Sequence, residues 1–114
     1  TAGHASPVLF DAIADVATVR LKDFKSQGLA NTVWAFATAG HASPVLFDAI
    51  AEVSKVRLRD FNSQGLANTV WAFARAGHAS PALFDMIAEV ARGRLKDFNP
   101  QKLVNTVWAF TKAG

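Results

Sequence analysis

The sequence contains no cysteine, so it can hold no disulfide framework, no thiolate metal site and no cysteine nucleophile. That absence ties the chain neither to an oxidising compartment nor to a reducing one. A strong excess of one charge is also missing. Twelve basic against nine acidic residues leave +3, enough only to tilt partner choice toward polyanions. No run of roughly 18 apolar residues occurs, which excludes a membrane-spanning helix. Thr1 to His4 open directly into ordinary chain, so no signal or transit peptide is expected there. The 114 residues, 51% of them hydrophobic, set one small domain as the ceiling.

What is present is repetition. Gly-His-Ala-Ser-Pro begins at Gly3, Gly40 and Gly77, and Trp34, Trp71 and Trp108 keep the same 37-residue interval. Self-similarity at such a period is the mark of a solenoid. Three units, 4–40, 41–77 and 78–114, follow the tripeptide Thr1-Ala2-Gly3. Units one and two agree at 31 of 37 positions, and unit three agrees with each of the others at 26. Because Thr1-Ala2-Gly3 repeats Thr38-Ala39-Gly40, residues 1–3 read as the tail of a preceding unit and the chain as a piece of a longer array.

Each unit carries two helix signatures. Ser6-Pro7, Ser43-Pro44 and Ser80-Pro81 place an N-cap before a proline at the first helical position, where its missing N–H costs nothing. The first helix is expected from about residue 7 to 22, with Leu9, Phe10, Ile13, Val16, Ala17 and Leu21 on one broad face. The second is expected over 26–38, closed by Gly40 as a left-handed C′ residue. Asn99-Pro100 repeats the cap-then-proline logic for this second helix. Two short amphipathic helices cannot bury their apolar faces alone, and stacked neighbours supply the cover. The expected fold is all-α, a right-handed α-α superhelical solenoid of three helix-turn-helix repeats and six helices. No polar capping helix is evident, so apolar end faces and end-to-end self-association are expected.

The stretch from Phe61 to Ala74, with its Gln64, Leu66-Ala67-Asn68 and Trp71-Ala72, resembles the octotricopeptide repeats. The 37-residue period is closer to their heptatricopeptide variant. The Leu-Ala-Asn-x-x-Trp core stands at Leu29 and Leu66, and Leu103-Val104-Asn105 departs from it by one residue. The resemblance implies an organellar RNA-binding factor of a mitochondrion or plastid, acting in transcript stabilisation, processing, translation or an organellar ribosome. It also implies single-stranded RNA, an organellar transcript or rRNA, as the partner.

On the second helix Gln27, Asn31, Trp34 and Thr38 share one strip, with Leu29, Val33 and Phe36 pointing away. The candidate RNA-binding residues are Gln27, Asn31, Gln64, Asn68, Gln101 and Asn105, whose amides can donate to and accept from base edges. An alternative makes the same amides a structural ladder to neighbouring loop carbonyls. Identical copies cannot encode different bases, so a homopolymeric tract or no specific sequence would be read. Thr38, Arg75 and Lys112 differ between units, and the two cations would meet phosphates or offset the helix macrodipole. The three tryptophans can stack bases, but rings of this size at solenoid spacing read as inter-repeat core.

Arg20, Arg57 and Arg94 fall among apolar neighbours, and Asp23, Asp60 and Asp97, three residues on, are the expected partners. The strip of Asp11, Asp15 and Lys22, continued by Asp48, Glu52, Lys55 and Arg59, reads as a solvated mixed-charge face. His4, His41 and His78 recur about 10 Å apart by helix-packing distance, too far to converge on one metal, and are read as loop hydrogen-bonders. Near-identical units offer no unique constellation, so neither catalysis nor a cofactor or metal is expected. Unit charges of 0, +1 and +2 place the phosphate contacts in the later units. One base per repeat would give about three nucleotides in all. The second hypothesis is a protein-interaction scaffold within a large assembly, its concave asparagines holding an extended peptide.

Overall fold

The structure is a computed structural model that describes residues 6–113. Residues 1–3, expected to be the tail of a preceding unit, and His4 lie outside them. Six α-helices succeed one another: α1 (Pro7–Thr18), α2 (Ser26–Thr38), α3 (Pro44–Lys55), α4 (Ser63–Ala76), α5 (Pro81–Arg92) and α6 (Pro100–Ala113). The capping chemistry is visible at their starts. Ser6 and Ser43 accept from the N–H groups of Leu9 and Leu46 at 3.3 Å. Asn62 and Asn99 accept from Gly65 and Lys102 at 2.7 and 2.8 Å. At the ends of α2 and α4, Gly40 and Gly77 adopt φ of 71° and 70°. Their N–H groups bond to Ala37 and Ala74, while His41 and His78 reach back to Phe36 and Phe73. This doubly bonded stop uses the left-handed conformation that glycine adopts without a Cβ penalty.

The first helix of each unit is shorter than expected. It ends at Thr18, Lys55 or Arg92, and a separate 3-10 turn covers Leu21–Asp23, Leu58–Asp60 or Leu95–Asp97. Arg20, with φ −123° and ψ 18°, breaks the helical path before the turn. The break drops Leu21 and Leu58 into the core and sends the chain toward the next helix. It also points the turn's carbonyls at the following unit.

Within each unit one phenylalanine pair joins the two helices: Phe10–Phe36, Phe47–Phe73 and Phe84–Phe110, with centroids 5.0 to 5.1 Å apart. Between units, α2, α4 and α6 pack closely side by side, whereas α1, α3 and α5 meet more sparsely. Small residues make the close approach possible. A Cβ on Gly65 would stand 3.7 Å from that of Ala30 and would press on Phe61 and Asn62 at 3.3 Å. A stack whose second helices are closer than its first curves toward the second-helix side.

The arginines do not pair as expected. Only Arg20 lies near its Asp23, at 3.7 Å and largely in solvent. Arg57 instead donates to the carbonyls of Phe24 and Lys22 in the preceding unit. Arg94 donates likewise to Phe61 and Arg59. A guanidinium has five N–H donors in a rigid fork, and here the fork closes the end of the neighbour's 3-10 turn. The pair can still meet across the break, as Arg20 and Asp23 do, but where a preceding unit stands alongside, its carbonyls take the guanidinium instead. The expectation also omitted the orphan carbonyls that every helical end creates.

Arg57→Ala is expected to cost about 1–3 kcal/mol by stranding two acceptors. Arg20→Ala, removing an exposed contact, is expected to cost about 0–1 kcal/mol. Urea unfolding of the two variants side by side checks the difference. Ser54 Oγ is fully buried and has no partner among the described residues, while Ala17 and Ala91 occupy the same repeat position. Ser54→Ala is therefore expected to raise stability by about 1 kcal/mol in the same assay.

Candidate functional site

The face of α2, α4 and α6 turned away from the core carries the same side chains three times. Buried on α2 are Leu29, Ala30, Val33, Phe36 and Ala37, which occupy its inner and lateral sides. Gln27, Asn31, Trp34 and Thr38 remain exposed. On α4 and α6, Gln64, Arg75, Gln101 and Lys112 are exposed, with Asn68 and Asn105 half-buried. The structure thus brings all eight candidate residues onto the outward side of the closely packed second-helix layer.

Their polar groups are available. The asparagines that bond to backbone are the caps Asn62 and Asn99. Among the described residues none of the six strip amides bonds to a neighbouring unit's carbonyl, so the structural-ladder alternative finds no support there. Arg75 and Lys112 take no part in the ion pairs found among the described residues. Each stands in the last turn of its helix, where a cation also offsets the macrodipole.

The tryptophans correct the reading made from the sequence. Trp34 and Trp108 are 43% and 40% exposed, and Trp71, with a unit on either side, is still only half-buried. Trp71 and Trp108 lie side by side, centroids 6.4 Å apart and planes tilted by 37°. The junction between second helices is filled instead by Ala30, Ala67, Ala72 and Ala74. These small side chains bring the helices too close for an indole to lie between them, and the ring is forced outward. The helical angle that groups Trp34 with Gln27 and Asn31 carried this signal, and the argument from ring size obscured it.

The histidines also differ from expectation. His41 Nε2 meets Asp11 Oδ1 at 2.9 Å, and His78 Nε2 meets Asp48 Oδ1 at 2.6 Å. Both therefore bridge to the carboxylate of the preceding unit rather than to a loop. Each ring also packs edge-on against that unit's phenylalanine, Phe10 or Phe47. Two members of the mixed-charge outer face are thus junction residues. No group of three or more His, Asp or Glu that could hold a metal occurs among the described residues.

Half-exposed indoles are open to a neutral quencher. Acrylamide is expected to quench the fluorescence of the folded chain strongly, and emission from a protected core indole would contradict this placement.

A family model for the RNA-editing substrate-binding complex 6 protein matches residues 3–114. No curated protein matches the chain. With all three helix pairs inside the matched span, the chain belongs to the RNA-editing substrate-binding complex 6 protein family.

Proposed function

We propose that this chain is a single-stranded RNA-binding repeat module working within an RNA-editing assembly. The observation that carries the reading is the row of half-exposed tryptophans, flanked by amides and, in units two and three, by a cation, none with a side-chain partner among the described residues. Aromatic faces accept any base, and such stacking contributes about 1–3 kcal/mol per base. The amides of Gln27, Asn31 and their copies meet base edges, and Arg75 and Lys112 meet phosphates. The family's description names an RNA-editing substrate-binding complex, and the likeness to octotricopeptide repeats points independently to RNA. A location in a mitochondrion or plastid belongs to the same proposal and rests on that likeness.

The proposed role is binding without catalysis, since three near-identical units repeat one set of side chains where a reaction needs a unique one. The second reading, a protein-interaction scaffold, would have the asparagines of the same strip hold an extended peptide.

Anisotropy of labelled homopolymeric RNAs, at two salt concentrations, tests the reading. Binding is expected to be weak and salt-sensitive. Trp71→Ala is expected to weaken it by about 1–3 kcal/mol. The double variant Arg75→Ala, Lys112→Ala is expected to flatten the salt dependence by about 1.4 log units per log unit of salt. Affinity and slope unchanged in these variants would remove the strip from the RNA-binding role. Salt-insensitive capture of an extended peptide in place of RNA would favour the scaffold.

A further inference from the structure

The second-helix strip repeats from unit to unit, and the first-helix layer does not. Units one and two differ at six positions, and five of these fall between residues 15 and 25 and their counterparts 52 to 62. That span is the last turn of the first helix, the 3-10 turn and the loop after it. Thr18 gives way to Lys55, and Lys22 to Arg59. Unit three adds Met86 where the others have Ala12 and Ala49. These changes meet at one place, the junction of units two and three.

Two adjoining clefts of about 530 and 370 Å³ open there and share Arg59, Glu89 and Val90 as walls. The larger is floored by Val56, Leu58, Met86 and Val90. Val56 is 84% and Met86 41% exposed, although described units flank Val56 on both sides and unit two stands against Met86. Their exposure therefore belongs to the interior of the stack. Four cations line the two clefts, Lys55, Arg57, Arg59 and Arg94, against two carboxylates, Asp60 and Glu89. Arg57 and Arg94 are held by backbone carbonyls, and Glu89 is answered by Arg92 at 3.1 Å. Lys55 bridges to Glu52 at 2.8 Å. Arg59 enters no ion pair among the described residues. Arg94 Nη2 donates to the Arg59 carbonyl at 2.9 Å, which fixes the backbone from which that side chain projects.

We propose that this cleft docks an acidic segment of a partner protein. One aliphatic side chain of the segment sits against Val56, Met86 and Val90, and its neighbouring carboxylates meet Arg59 and Lys55. A cleft of this volume takes a few side chains rather than a whole domain. The flexible thioether of Met86 lets the floor adapt to its occupant, and the surplus of positive charge selects acidic neighbours. No aromatic ring lines either cleft, so the stacking platform that favours single-stranded RNA is missing. A peptide joins apolar side chains to carboxylates and has the matching chemistry. The first junction presents Ala49 and Thr18 in place of Met86 and Lys55, so the combination stands once among the described residues. Docking here depends on neither the tryptophan strip nor its ligand.

Selection of displayed random short peptides on the 114-residue chain, followed by anisotropy of the enriched peptides carrying a fluorescent label, tests the proposal. The enriched sequences are expected to place acidic residues beside an aliphatic one and to bind more weakly as salt rises. Met86→Glu and Arg59→Glu, both at exposed positions, are each expected to weaken them roughly tenfold or more. Lys22→Glu, at the same repeat position in the first junction, and Trp71→Ala are expected to leave peptide affinity unchanged. Circular dichroism of every variant, expected to match the parent, excludes misfolding as the cause of a loss.

A selection that enriches no acidic sequence would overturn the proposal, as would peptides that bind Met86→Glu and Arg59→Glu like the parent. Peptide binding lost only in Trp71→Ala would move the peptide to the strip and overturn it too. Homopolymeric RNA whose binding falls with Arg59→Glu and not with Trp71→Ala would put nucleic acid in the cleft, with the same consequence.

Discussion

Every feature of this molecule depends on one constraint: a pair of short amphipathic helices has apolar surface on both flanks and cannot bury either by itself. Placing a unit against its neighbour removes that surface from water, and the same junction is then built twice. The small side chains of α2, α4 and α6 let the second helices approach closely, so the central pair Phe47–Phe73 is fully buried, while Phe10 and Phe110 of the outer pairs stay partly exposed. The junction is also polar at its rim. Arginine forks close the carbonyl ends of the 3-10 turns, and histidines reach the aspartates of the unit before. Polar groups of this kind add geometric register to a non-directional hydrophobic contact.

The candidate binding face is what this packing leaves over. Once the flanks of the second helix are committed to neighbours and its underside to the first helix, only one strip remains for solvent or a ligand. Three copies set a short periodic track of amides and indoles along the layer. The proposed ligand, single-stranded RNA, likewise repeats its backbone charge at every step. The cations at Arg75 and Lys112, absent at Thr38, make the track asymmetric along its length.

Much of this was legible in the residues alone. The 37-residue interval, the Ser-Pro starts and the glycine stops specify six helices and their pairing, because capping and backbone strain act within a few residues of chain. The angular grouping of Gln27, Asn31, Trp34 and Thr38 likewise follows from helical geometry. The early end of the first helix was harder to see, since Arg20 leaves the helical path at a residue with no breaker chemistry of its own.

The partners of the long side chains lay beyond the sequence. Arg57 was expected to find an aspartate three residues away and found carbonyls more than thirty residues back. The indoles were expected to fill the junction, and alanines filled it. In both cases the deciding quantity is a distance between units, set by how closely the second helices pack. The sequence by itself determined the helices, their repeat and the strip they share, through interactions local along the chain. The tertiary structure alone decided which members of that strip are free, because the spacing between units governs whether a side chain is enclosed or expelled.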